Sequence, residues 1–183
     1  MTTNTKTELS LVAHLMRRAA FGLSAWRLEQ LANEPYEKLV ENLVDVNRHP
    51  RLDNEDILAR FNLDHADEED YWWTVKRWFF RMINTARPLE EQMALMWHNR
   101  FATAASKSLN PLMLRNHMEM LRDHGLGNFK VLLTELAHDP GVIYWLDQQT
   151  NHLGAVNENW GRELLELFSM SRGNYTEDDV KAA

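Results

Sequence analysis

Apolar residues recur at three- and four-residue intervals along most of this chain, which is the period of an amphipathic helix. "ELSLVAHLMRRAAFG" carries Leu9, Val12, Ala13, Leu15 and Met16 at that spacing and stops at Gly22, a left-handed cap residue. Ser24 predicts the cap of a short helix reaching Leu31, and Pro35 suits the first turn of a third, "YEKLVENLVDV". "YWWTVKRWFFRMINTA" predicts a strongly aromatic helix. Pro88 restarts the chain into another, "LEEQMALMWHNRFATAA". Asn110-Pro111 is a cap followed by a proline start, for a helix running to His124 that Gly125 and Gly127 end. Asn128 caps "FKVLLTELAH", which stops at Asp139-Pro140. "GVIYWLD" then leads through the polar loop "QQTNHLGAVN" into a leucine-rich helix beginning near Glu158.

No strand-like alternation of useful length and no internal repeat interrupts this pattern. The expected fold is all-α: an irregular multi-helix bundle of about ten helices, with no significant β-sheet, in a single domain over residues 1–183. Residues 47–70 change character. They are acidic, with one weak helix around Ile57, and read as a surface excursion. At the far end, Thr176 caps a helix whose first turn holds Glu177, Asp178 and Asp179. Only about a turn follows Val180. A helix that starts well and ends at once predicts the N-terminal part of a longer protein.

Composition narrows the class. Apolar residues make up 44% of the 183, ample for a real core, and the seven tryptophans read as its large anchors. A net charge of −7 argues against a nucleic-acid partner or an acidic membrane surface. The absence of cysteine excludes disulfides, zinc–thiolate sites, iron–sulfur clusters and a Cys nucleophile. No apolar run approaches the ~18 residues of a membrane span. "MTTNTKTELSLVAHLMRR" has no basic segment followed by an apolar one, so the expected location is the cytoplasm.

The chemistry, if any, lies where polar groups enter apolar faces. On a helical wheel with Trp160 at zero, Glu163 falls near 300°, between Met170 and Leu167. Glu166 and Asn159 border the same side, so Glu163 is expected on the buried face or at its edge. Glu158 and Arg162 fall opposite, at the spacing of a solvated ion pair. In "LEEQMALMWHNRFATAA" apolar residues occupy nearly every sector, so Arg100 and His98 look embedded. A buried carboxylate and a buried guanidinium are costly alone and tolerable together. Glu163 is therefore expected to pair with Arg100, or with Arg17 or Arg18, and Glu163→Ala to cost roughly 3–5 kcal/mol. The same residues permit a second reading, a cleft lined by His98, Asn99, Glu163 and Glu166.

Other constellations are weaker. "DQQTNHLGAVNE" places Asp147, Gln149, Asn151 and Glu158 at calcium-loop positions, but His152 stands where that loop demands glycine. His117 and His124 share a helix face about 10 Å apart, too far for one metal ion. His14, Arg17 and Arg18 could meet an anion or seek acidic partners. No cofactor is implied by any motif; a divalent metal is the one candidate the carboxylates leave open.

Taken together, "HLMRRAAFG", "MWHNRFAT", "NPLMLRNH", "LRDHGLGNFKVLL", "DPGVIYWLD" and "NENWGRELLELFSMSRGNYTEDDV" resemble the bacterial domain of unknown function (DUF) 1800 family, in order from His14 to Val180. The family has no established activity. Its members are considerably longer and continue past "YTEDDV" with further helices, His and Asp. The resemblance therefore implies that a C-terminal part of the same chain is this segment's partner. Gly161 stands where the family pattern carries alanine. It either costs helix stability or permits close backbone approach.

Two functions follow. In the first the chain is a helical scaffold or interaction module, locked by Glu163 with Arg100 or Arg17/Arg18. In the second it is a hydrolase or metal-assisted enzyme. There Glu163 or Glu166 serves as base or ligand, His98 as proton shuttle, and Arg100, Asn99 and Asn159 hold substrate.

Overall fold

The computed structural model describes residues 3–52, 71–101, 103–107 and 110–183, with only the backbone described for 3–6 and 73. Among the described residues it is all-α, with ten α-helices, a few single-turn 3₁₀ segments and an isolated bridge between His152 and Ala155. Among the described residues no helix is long and apolar enough to cross a membrane. The described residues divide into two compact units, one within 3–52 and 75–93, the other within 71–74 and 94–183.

In the first unit, α1 spans Thr3–Ala19, α2 Ala25–Leu31 and α3 Tyr36–Val44. Val12, Met16 and Ala19 lie on one face of α1 and pack with Leu31, Leu39 and Leu43 into a single apolar cluster. Each buried leucine there contributes about 2 kcal/mol of transfer free energy. The turns follow the sequence, with two refinements. Gly22 adopts φ +89° and redirects the chain into α2. Ser24 takes the cap position without a side-chain cap bond; its carbonyl instead accepts the Arg27 and Leu28 amides at 3.0 and 3.1 Å. Pro35 sits one residue outside α3 rather than in its first turn, and its carbonyl accepts the Leu39 amide.

The acidic excursion expected over 47–70 lies outside the described residues beyond Leu52. Its first six residues are tied down by arginines. Arg87 donates to the His49 carbonyl at 2.8 Å, Arg81 to the Leu52 carbonyl at 3.0 Å, and Arg51 pairs with Glu90 at 3.1 Å. Glu90 is nearly fully buried and also meets Arg87 at 3.4 Å. Glu90 is the buried member of these pairs and Arg51 the exposed one, and together they fasten the loop to the rest of the unit.

Helix α4 (Tyr71–Asn84) is the aromatic helix expected, but most of the described tryptophans of the chain are not the core anchors expected of them. Trp72 is 69% exposed and Trp26, on α2, 61%; among described tryptophans only Trp160 is buried. Trp78 and Trp97 are half-buried, and each donates its indole N–H, Trp78 to Glu91 and Trp97 to the Gly125 carbonyl. α5 (Pro88–Arg100) starts at the expected proline and ends before Phe101, shorter than its periodicity suggests.

The second unit holds α6 (Pro111–His124), α7 (Phe129–His138) and α8 (Pro140–Trp145). The first two begin at the expected residues, whereas α8 starts at Asp139-Pro140, where only the stop of the preceding helix was expected. Asn110 accepts from the Leu112 amide, Asn128 from the Lys130 and Val131 amides, and Asp139 from the Val142 amide. Such side-chain caps are each worth about 1 kcal/mol. Leu121, Leu132, Leu136 and Phe101 are almost completely buried and form this unit's interior. α9 (Asn159–Glu163) continues into a π-helical turn over Leu164–Ser169. α10 (Glu177–Ala182) opens with a full capping box between Thr176 and Asp179, as the sequence predicts.

Gly161 has a packing reason. A Cβ there would approach the Val180 carbonyl oxygen at 2.6 Å and the Ala183 Cβ at 3.3 Å. Of the two accounts open from sequence, close backbone approach is the one realised, and it lets α10 lie against α9.

Candidate functional site

The π turn decides where the acidic side chains of α9 go. A π-helix closes i→i+5 bonds and so turns less per residue than an α-helix. Here the Met170 amide bonds the Leu165 carbonyl at 2.9 Å. A wheel drawn at a constant 100° fails beyond Glu163, and Leu167 and Met170, expected to flank a buried Glu163, are 48% and 47% exposed. Glu163 itself is half-buried and makes no ion pair or hydrogen bond with any described residue. Glu166 is engaged locally. It accepts from the Tyr175 hydroxyl at 2.8 Å and pairs with Arg172 at 3.1 Å. That hydrogen bond is the main reason the Tyr175 phenol is raised above its ordinary pKa.

The expected Glu163–Arg100 pair does not form. Arg100 is exposed at the end of α5, as is Asn99. The buried side of α5 is marked by Glu90, Glu91 and Ala94, followed one and two turns on by His98 and Phe101. Arg100 lies two residues beyond His98 and so faces away. The sequence reading took Arg100 as embedded because apolar residues fill nearly every sector of this helix, whereas Leu95 and Met96 are open to solvent. Arg17 and Arg18 are exposed on α1, as is His14.

His98 is the one candidate that enters the interior. Its ring meets that of His117 edge-on, with centroids 5.6 Å apart. His117 is completely buried, and its Nδ1 lies 3.3 Å from an Asp139 carboxylate oxygen, close enough for an ion pair but not aligned as a hydrogen bond. The other Asp139 oxygen caps α8. Burial, and then the neighbouring His117, push the His98 imidazole down to about 4. His98 is therefore neutral near pH 7. Sequence reasoning had considered His117 only with His124 and had seen Asp139 only as a helix stop. The signal was available in "HDPG": an Asp immediately before a helix-starting Pro is a cap, and a cap carboxylate has a second oxygen to offer.

The remaining polar candidates serve the loop. Asp147, in the left-handed region at φ 59°, pairs with Lys107 at 2.8 Å, and the same ammonium donates to the Trp145 carbonyl at 2.6 Å. Asn151 accepts the Asn157 amide, and Asn159 donates to the Leu146 carbonyl. Gln149 is exposed. Glu158 pairs with Arg162 at 3.4 Å, the solvated pair expected from the four-residue spacing. Arg162 is held more strongly by both oxygens of Glu177, at 2.9 and 2.8 Å, which raises its pKa and lowers that of Glu177. The calcium-loop carboxylates thus each face a cation of the protein, and no group of three His, Cys, Asp or Glu suited to a metal ion occurs among the described residues.

Compared with known families, the chain matches the model of a protein of unknown function, DUF1800, over residues 14–183. It belongs to the DUF1800 family. The comparison with curated proteins and that with solved structures give no match. Membership accounts for the ordered run of motifs from His14 onward and brings no established activity with it.

Proposed function

We propose that this DUF1800 segment is a helical scaffold whose buried polar groups hold helices in register, not a catalytic centre. What supports the reading is the dispersal of the acid–base candidates. Glu166 is taken up by Tyr175 and Arg172, Arg100 and Asn99 face solvent, and the interior polar residues His117 and Asp139 serve each other and the start of α8. Buried ionic groups of this kind can specify which helix packs where, even when an apolar pair would be more stable.

The second reading, a hydrolase or metal-assisted enzyme, draws on one observation. His98 is kept neutral beside the His117–Asp139 pair, a poise suited to a base or metal ligand. Thermal melting with and without zinc, manganese or magnesium separates the two. The scaffold reading expects no metal-dependent rise in Tm for the protein or for His98→Gln. A rise that His98→Gln abolishes would establish the metal-assisted reading instead.

A further inference from the structure

The first unit contains a cavity of about 230 Å³ between α1, α2, α3 and the segment that starts α5. Its inner wall is apolar, formed by Met16, Leu31, Leu39 and Leu43 with Val46 and Pro88. Met16, Leu31, Leu39 and Leu43 belong to the unit's own core cluster, so the cavity lies against the apolar interior. The remaining lining is polar and unevenly charged. Arg27 and Arg87 supply two guanidiniums and Glu34 a single carboxylate. Glu34 is neutralised by Lys38 at 3.0 Å. Arg87 is held by the His49 carbonyl and by Glu90. Arg27 has only the neutral Gln30 side-chain oxygen, at 2.8 Å, and no carboxylate among the described residues. Asn42 receives Arg48 on its oxygen, which leaves its amide hydrogens for a ligand, and His49 is a further polar residue of the lining.

We propose that this cavity binds a small monocarboxylate with a compact apolar body. The body lies against Met16, Leu39 and Leu43, and the carboxylate meets Arg27. A dry cavity of about 150 Å³ accommodates the six carbons of benzene. By that scale the present one holds roughly nine heavy atoms, the size of heptanoate. The net charge of −7 disfavours anions over the surface as a whole, so an uncompensated guanidinium beside an apolar wall is a selective feature and not a general one.

Heptanoate, heptan-1-ol and heptylammonium, titrated into the full chain by calorimetry, test this. The expected result is saturable heptanoate binding with a Kd of roughly 0.1–1 mM. The alcohol should bind about tenfold more weakly, from loss of a charge-assisted hydrogen bond. Arg27→Gln should bring heptanoate down to the level of the alcohol and leave the alcohol unchanged. Leu39→Trp should abolish binding of both by filling the cavity; if that variant loses its helical circular dichroism, Leu43→Phe replaces it. Three results would each overturn the proposal: no saturable heptanoate binding up to about 10 mM, an order of magnitude above the weakest expected Kd; heptylammonium binding as tightly as heptanoate; or heptanoate binding unaffected by Arg27→Gln.

Discussion

Helix α6 carries His117 among leucines and methionines, and α9 ends on Glu163 beside the leucines of its π turn. They meet opposite fates. His117 is entirely buried, while Glu163 is half-exposed and pairs with nothing among the described residues. The difference lies in what surrounds each helix. α6 is regular, capped by Asn110, and faces the first turn of α8, where Asp139 has already been fixed by its own capping bond. α9 passes after five residues into a π turn that swings its later side chains outward. A polar residue on an apolar face is buried when a partner is independently held in place to receive it; its position on a wheel is not enough.

The largest test of this contrast is Asp139→Ala. It removes the α8 cap and strands His117, and should cost about 2–4 kcal/mol in urea denaturation. A loss below about 1 kcal/mol would show that the buried pair holds nothing.

Next comes the pH dependence of the second unit. The folded pKa of His98 lies at about 4, below the ordinary 6.5, so the unfolded chain takes up the proton first as pH falls. Stability is complete above the ordinary value and is lost between pH 6.5 and about 4. The ring is partly reached by solvent, which limits the effect to about 2 kcal/mol. Equilibrium unfolding across that range should show the fall, and His98→Phe should flatten it by this amount. An unchanged slope would mean that burial of His98 does not disfavour its charged form.

Gly161→Ala should cost about 1–3 kcal/mol, because its methyl meets the Val180 carbonyl rather than a side chain that can turn aside. On helix propensity alone the substitution would stabilise the protein by up to about 1 kcal/mol, so the sign of the Tm shift decides which account of this glycine holds.

The smallest effect belongs to Glu163→Ala, expected below about 1 kcal/mol for a half-exposed, unpaired group. That reverses the 3–5 kcal/mol its sequence position suggests. A loss in the larger range would show that Glu163 has a partner among residues beyond those described.

Local signals carried the fold well. The caps Asn110, Asn128 and Thr176 act within three residues, so their consequences could be stated before any helix was placed. The Glu158–Arg162 pair was legible for the same reason. α5 shows where legibility stops. With apolar residues in nearly every sector, its sequence could not say which side is inner, and Glu90 and Glu91 mark that side against simple expectation. Arg100 was misplaced in consequence.

By itself the sequence determined the all-α class, most helix starts, the family and the exclusion of cysteine chemistry, because each depends on composition or on contacts a few residues long. Tertiary structure decided which polar groups are buried: His117 with Asp139, and Glu90 where Arg51 and Arg87 reach it, rather than Glu163 with Arg100. Those partners stand as many as 39 residues apart. Burial of a charge is settled by the group that arrives to meet it, and that arrival is a property of the packed helices.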